Sequence, residues 1–218
     1  MPDHKSLSPV LAEFFATAFL LIAVVGSGIA AERLSSGNTA IALLANAAAT
    51  GCALFALILV FGPISGAEMN PAVTLAVAGL GRKPWPQVPA TIAAQIAGAL
   101  VGVVLAHAMF ELPLAQTSQH VRTGPAQWLA EAVATLGLLG VVFGCGRHGV
   151  IATAGAVATY ITGAYWFTAS TSFANPAVTI ARAFTDTFAG IRPADVPGFI
   201  AAQMAVAAIF IAAGRASR

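Results

Sequence analysis

Charge is what this chain lacks. Its 218 residues include 10 basic and 8 acidic side chains, 8% in all, where a soluble domain carries about 25%. So few ionised groups cannot cover the surface of a water-soluble fold of this length. Cysteine is also sparse: Cys52 and Cys145 lack metal-ligand spacing and are expected to be small buried residues in apolar segments. His107, His120 and His148 show no close ligand spacing, and the acidic residues form no paired-carboxylate motif. No nucleotide-binding loop is present. The reading is therefore no metal, no cofactor and no enzyme. Basic residues are scattered through connections and the termini, with Arg82-Lys83 the one adjacent pair, which gives no nucleic-acid surface.

What the chain has instead is apolar length. Hydrophobic residues make up 58%, and Asp, Glu, Lys and Arg are missing from Phe14 to Ala31, Leu34 to Ala67, Pro84 to Phe110, Gly149 to Ala181 and Val196 to Gly214. A helix crosses a hydrocarbon core about 30 Å thick with about 20 apolar residues. The first stretch alone could be a signal peptide, but hydrophobic spans continue to the C-terminus. The pattern predicts an all-α, multi-pass membrane protein with spans at about 9–30, 39–61, 87–109, 126–145, 149–169 and 196–213. Segments 70–80 and 175–185 are left over. Each opens on Asn-Pro and is too short to cross; Asn is a good cap and Pro suits the first turn, so both are expected to be short helices.

The chain also repeats itself. Asn70-Pro71-Ala72-Val73-Thr74 returns as Asn175-Pro176-Ala177-Val178-Thr179, Leu11-Ala12-Glu13 as Leu129-Ala130-Glu131, and Val88-Pro89 through Gln95 as Val196-Pro197 through Gln203. The three landmarks keep their order, which makes the chain one membrane domain, 1–218, of two repeats at about 9–109 and 126–213 joined by a loop at about 110–125. Each repeat has three crossings, an odd number, so the two are inverted in the membrane. Both termini are expected in the cytoplasm. Lys5, Arg82, Lys83, Arg147, Arg215 and Arg218 then lie inside and Arg33, Arg122, Arg182 and Arg192 outside, a small inward excess.

Non-helical backbone at membrane depth must be buried in protein or line a watery cavity. Two short helices entering from opposite faces would meet near the midplane, their positive dipole ends converging. Asn70 and Asn175 would offer amide donors there to the oxygen of a passing water or hydroxylated solute. That field repels cations, and a molecule held by both donors would interrupt a proton wire. Small residues at Gly98 and Gly102 suit close helix packing.

On these motifs, and on Ser65 through Thr74 in particular, the chain resembles the aquaporin and aquaglyceroporin family over about residues 9–213. The resemblance implies a right-handed bundle of six transmembrane helices plus two re-entrant half-helices, assembled as a homotetramer in lipid with one pore per subunit. It makes Glu13 and Glu131 structural carboxylates that accept hydrogen bonds from the re-entrant loops. It carries an outer selectivity filter onto Thr50, Gly163, Ser172 and Val178, where water-selective relatives hold an aromatic ring, a histidine, a small residue and an arginine. Only the small residue survives here, which implies a wide constriction, although Phe61, Phe143, Tyr165, Trp166, Phe167 or Phe173 could lean into the path.

Two residues stay open at this point. Arg182, one turn past Val178, is either an interfacial or loop-bracing arginine, with Asp186 at its i+4 position, or a displaced pore arginine. Glu68 stands where many relatives have histidine; as a vestibule carboxylate it either attracts cations or satisfies loop backbone. An arginine-free filter and the Phe173 to Pro197 segment resemble bacterial arsenic-resistance aquaglyceroporins of the inner (plasma) membrane. That branch implies passive conduction of small uncharged solutes: arsenite as As(OH)3, organic arsenicals, glycerol and water. The alternatives are a water or glycerol channel with no arsenical role and an ion-coupled secondary transporter.

Overall fold

A computed structural model describes residues 7–216; Lys5 and Arg218, used above for orientation, lie outside the described residues. Eight α-helices follow one another: α1 (Pro9–Leu34), α2 (Thr39–Ser65), α3 (Pro71–Gly79), α4 (Val88–Met109), α5 (Pro125–Cys145), α6 (Val150–Phe167), α7 (Pro176–Ala181) and α8 (Val196–Ala216). Six of them are long and apolar enough to cross a membrane; α3 and α7 are the short pair. The protein is an all-α membrane protein of six spans and two half-helices.

Local chemistry sets the ends. Ser8 accepts from Leu11 N ahead of Pro9, and Asn38 accepts from Ala40 N and Ile41 N ahead of α2, satisfying N–H donors that the first turn leaves unpaired. At the other end of α2 the chain leaves the helix through Gly66, whose φ of +96° costs glycine nothing. α7 is shorter than expected, because Arg182–Phe184 tighten into a 3-10 turn and Ile191 N donates to the Arg182 carbonyl, drawing the chain off the helix axis.

Packing repeats between the halves. α1 lies against α2 and α4, and α5 against α6 and α8; α3 touches α4, and α7 touches α8. Between halves, α2 meets α6, α4 meets α7, α3 meets α8, and α3 meets α7. Each of these contacts has a counterpart when the halves are exchanged, the signature of an internal two-fold. Where α1 and α4 cross, a Cβ added at Gly98 would come within 2.2 Å of Phe14 O, and one at Gly102 within 2.3 Å of Ala18 O; only glycine permits this approach. Large side chains on the outward faces, among them Phe19, Val104, Leu136, Ile151 and Ile209, are exposed, as lipid contact requires. Cys52 shares that exposure, contrary to its expected burial: it sits on the outward face of α2, where an apolar segment meets lipid instead of core.

Candidate functional site: the cavity at the half-helix junction

The two half-helices begin at the same place in the molecule. Asn70 Oδ1 accepts from Ala72 N at 2.9 Å, and Asn175 Oδ1 from Ala177 N at 3.0 Å; Pro71 and Pro176 occupy the first turn, all buried. The amides then reach across: Asn70 Nδ2 donates to Ala174 O and Asn175 Nδ2 to Met69 O, both at 2.7 Å. Each amide nitrogen has two N–H groups, so one is spent on the opposite half and the second remains. Both asparagines line one cavity of about 240 Å3.

The approach to each asparagine is strained in the same way. Ala67 and Met69 take φ of +47° and +48°, and Ser172 and Ala174 +52° and +48°, left-handed conformations that cost a non-glycine residue about 1–3 kcal/mol each. Buried carboxylates hold them. Glu13 accepts from Ser65 Oγ, Glu68 N, Met69 N and Gln95 Nε2 at 2.6–2.9 Å. Glu131 accepts from Phe173 N, Ala174 N and Gln203 Nε2, also at 2.6–2.9 Å. Gln95 and Gln203 complete the match by donating to Thr74 and Thr179.

The cavity has mostly apolar walls, including Leu20, Val24, Leu54 and Val157, with polar groups at intervals. Thr50, Ser172 and Val178 line it. The Thr50 hydroxyl lies 3.2 Å from Tyr165 OH, and the buried Ser172 Oγ has no protein partner. Gly163 does not line it. α6 presents Val157, Ile161 and Tyr165 instead, a four-residue spacing, and at 3.6 residues per turn Gly163 falls on another side, where an added Cβ would face the Phe167 ring at 3.7 Å. Tyr165, beside the expected Thr50, is the residue of this turn of α6 at the cavity wall. Of the aromatics that could lean inward, Tyr165 and Phe173 are at the wall; Phe61, Phe143, Trp166 and Phe167 are not.

Arg182 lines the cavity too and is 2% exposed. Its Nε donates to Ala189 O, and its Cζ stands 3.4 Å from the centroid of the Phe173 ring. Asp186 does not brace it; that carboxylate accepts from Gln119 N. A second arginine stands over the same ring: Arg122, in the α4–α5 connection, has its Cζ 5.2 Å from the centroid and donates to Gly190 O, Ser170 O and Phe188 O. Burial pushes the Arg122 pKa below the ordinary arginine range, with the Glu131 charge opposing. Nothing in the sequence around Arg122 singles it out, since its partners lie some fifty residues or more along the chain.

Glu68 lines the cavity with its charge engaged. Its Oε2 accepts from Thr74 Oγ1 at 2.7 Å and from Lys83 Nζ at 2.9 Å, while its own N–H goes to Glu13. Lys83, which the sequence offered only as an orientation marker, is the partner that neutralises this carboxylate.

A sequence model of the family described as Major intrinsic protein matches residues 2–164, from the first helix through most of α6. The chain belongs to the major intrinsic protein family. Membership makes it a multi-pass membrane channel protein and not an enzyme. Among its relatives, "Aquaglyceroporin AqpS" of Rhizobium meliloti (strain 1021) is 52% identical over 194 residues, covering 89% of this chain and 83% of that one. A "Probable glycerol uptake facilitator protein" of Thermotoga maritima is 33% identical over 157 residues, 65% of this chain and 66% of that one. The X-ray structure of the aquaglyceroporin from Plasmodium falciparum superposes with a TM-score of 0.69 at 22% identity, over 93% and 92% of the two chains, a likeness of fold. The family match ends before Asn175; the paired bonds from Asn70 to the Ala174 carbonyl and from Asn175 to the Met69 carbonyl tie the remaining half-helix to the same architecture.

Proposed function

We propose that this major intrinsic protein is a passive, permissive aquaglyceroporin that conducts small uncharged solutes: glycerol, water, arsenite as As(OH)3 and related organic arsenicals. The observation that carries the reading is Val178 at the cavity wall, in the position where water-selective relatives place arginine. A short apolar side chain there leaves width, and pore width and donor placement set selectivity in such channels. Asn70 and Asn175 are the midplane donors, with Pro71, Ala72, Pro176 and Ala177 fixing their helices. Thr50, Tyr165, Ser172 and Val178 form the outer constriction.

As(OH)3 and glycerol are both neutral and carry three hydroxyls, so one set of donors and acceptors suits both. The 52% identity to a protein named an aquaglyceroporin supports the glycerol class. In this reading the protein is a homotetramer in a bacterial inner membrane. Both termini are cytoplasmic, with Arg82, Lys83, Arg147 and Arg215 on the inner side. Stopped-flow light scattering on proteoliposomes tests it: shrinkage followed by re-swelling in a glycerol gradient is expected, and shrinkage without re-swelling, meaning water alone passes, overturns it.

A further inference from the structure

We propose that Arg182 supplies the charged donor at the outer end of this pore, one helical turn beyond Val178, and that with Ser172 it forms a binding station for neutral, oxygen-rich solutes that turns cations away. The proposal rests on the channel reading above and adds a residue outside the expected filter.

Four observations converge on it. Val178 and Arg182 are four residues apart on α7 and its continuing turn, hence on one face, and both line the cavity. The guanidinium is anchored at one edge only. Nε is committed to Ala189 O and the plane rests on Phe173, while among the described residues no acceptor meets Nη1 or Nη2. No carboxylate pairs with it directly: the ion pairs of the described residues are Lys83–Glu68 and Arg192–Asp195, Asp186 is engaged with Gln119 N, and Glu131, whose charge reaches this guanidinium, is occupied by Phe173 N, Ala174 N and Gln203 Nε2. Finally, Ser172 Oγ is buried at the same wall without a protein partner, held there by the left-handed backbone at that residue.

The chemistry follows from these groups. A planar guanidinium offers paired donors in a fixed fork, suited to the lone pairs of a hydroxyl oxygen, and Ser172 Oγ can accept that solute's O–H. The Thr50 and Tyr165 hydroxyls extend the polar edge. A cation meets the charge of Arg182, which has no ion-pair partner, in a low-dielectric wall, where repulsion is several times stronger than in water, and Arg122 adds a second charge over the same ring. An arginine at 178 would crowd this guanidinium with a like charge on the same face, so valine there fits the displaced arrangement.

The test compares wild type, R182Q and the transposed double variant V178R/R182V in proteoliposomes, reading glycerol flux and sodium conductance on the same preparation. Wild type is expected to pass glycerol and exclude sodium. R182Q is expected to slow glycerol and raise sodium conductance at least about tenfold through loss of the repulsive charge, and the transposition to restore sodium exclusion. R182Q that assembles and excludes sodium as wild type does overturns the proposal, as does a transposed variant that leaks like R182Q. If R182Q does not assemble, R182K decides. Sodium exclusion kept with glycerol flux reduced supports a planar donor in the path; glycerol flux unchanged overturns it. Wild type that passes no glycerol sinks the channel reading itself, a result distinct from a conducting wild type whose Arg182 variants behave normally.

Discussion

Asn70 and Asn175 each donate through Nδ2 to the carbonyl of the residue preceding the other, Ala174 and Met69, at 2.7 Å in both directions. The two half-helices are thereby fastened start to start, and each asparagine also caps its own helix. Alanine at either position removes a cap worth about 1 kcal/mol and leaves a buried carbonyl unpaired at a cost of about 1–3 kcal/mol. Both N70A and N175A should lower the thermal midpoint in detergent by similar amounts. Aspartate keeps the capping acceptor but sets a buried carboxylate oxygen against the Ala174 carbonyl, so N70D should fall at least as far as alanine.

Glu131 holds Phe173 N, Ala174 N and Gln203 Nε2 at once. Glutamine would turn an N–H toward donors, so E131Q is expected to cost about 3 kcal/mol or more and to reduce tetramer yield on size-exclusion chromatography before it alters selectivity. E13Q, on the counterpart carboxylate, should behave alike. An E131Q protein with normal assembly and abolished conduction would contradict this structural role.

Lys83 Nζ donates to Glu68 Oε2, the same oxygen that accepts from Thr74 Oγ1. Removing the ammonium in K83A leaves a carboxylate on the cavity wall without its counter-charge, and sodium leak through proteoliposomes should rise. Neutralising both partners in K83A/E68Q should bring the leak back toward wild type. Leak in the double variant equal to that in K83A would assign the effect to loop disruption instead.

Most of the architecture was legible because its causes are local or periodic. Asn-Pro announces a capped helix start wherever it lies, and charge-free runs mark spans. The repeat of Glu13 and Gln95 as Glu131 and Gln203 follows from the identical demand of two strained loops. The outer end was harder. Counting twelve residues back from Asn175 reaches Gly163, but which side of α6 faces the cavity depends on where that helix turns, and the turn brings Tyr165 inward. Arg182 was ambiguous because its anchor, Ala189 O, and its shelf, Phe173, are set by the loop folding back after α7. Arg122 left no trace in its own neighbourhood.

Val178 should be the width-setting residue. Arginine in its place narrows the wall and adds a like charge beside Arg182, so V178R is expected to reduce glycerol and As(OH)3 flux several-fold more than water flux, measured on one liposome batch. Equal loss of all three would point to misfolding, and no loss would remove Val178 from the path.

The central claim is passive conduction of small neutral hydroxylated solutes. It is tested most directly by As(OH)3 and glycerol uptake into proteoliposomes of the wild-type protein, with and without imposed sodium and proton gradients. Uptake of both solutes down their own gradients, at rates indifferent to the ions, is the predicted result. Uptake that requires an ion gradient, or passage of water with exclusion of both solutes, would contradict it.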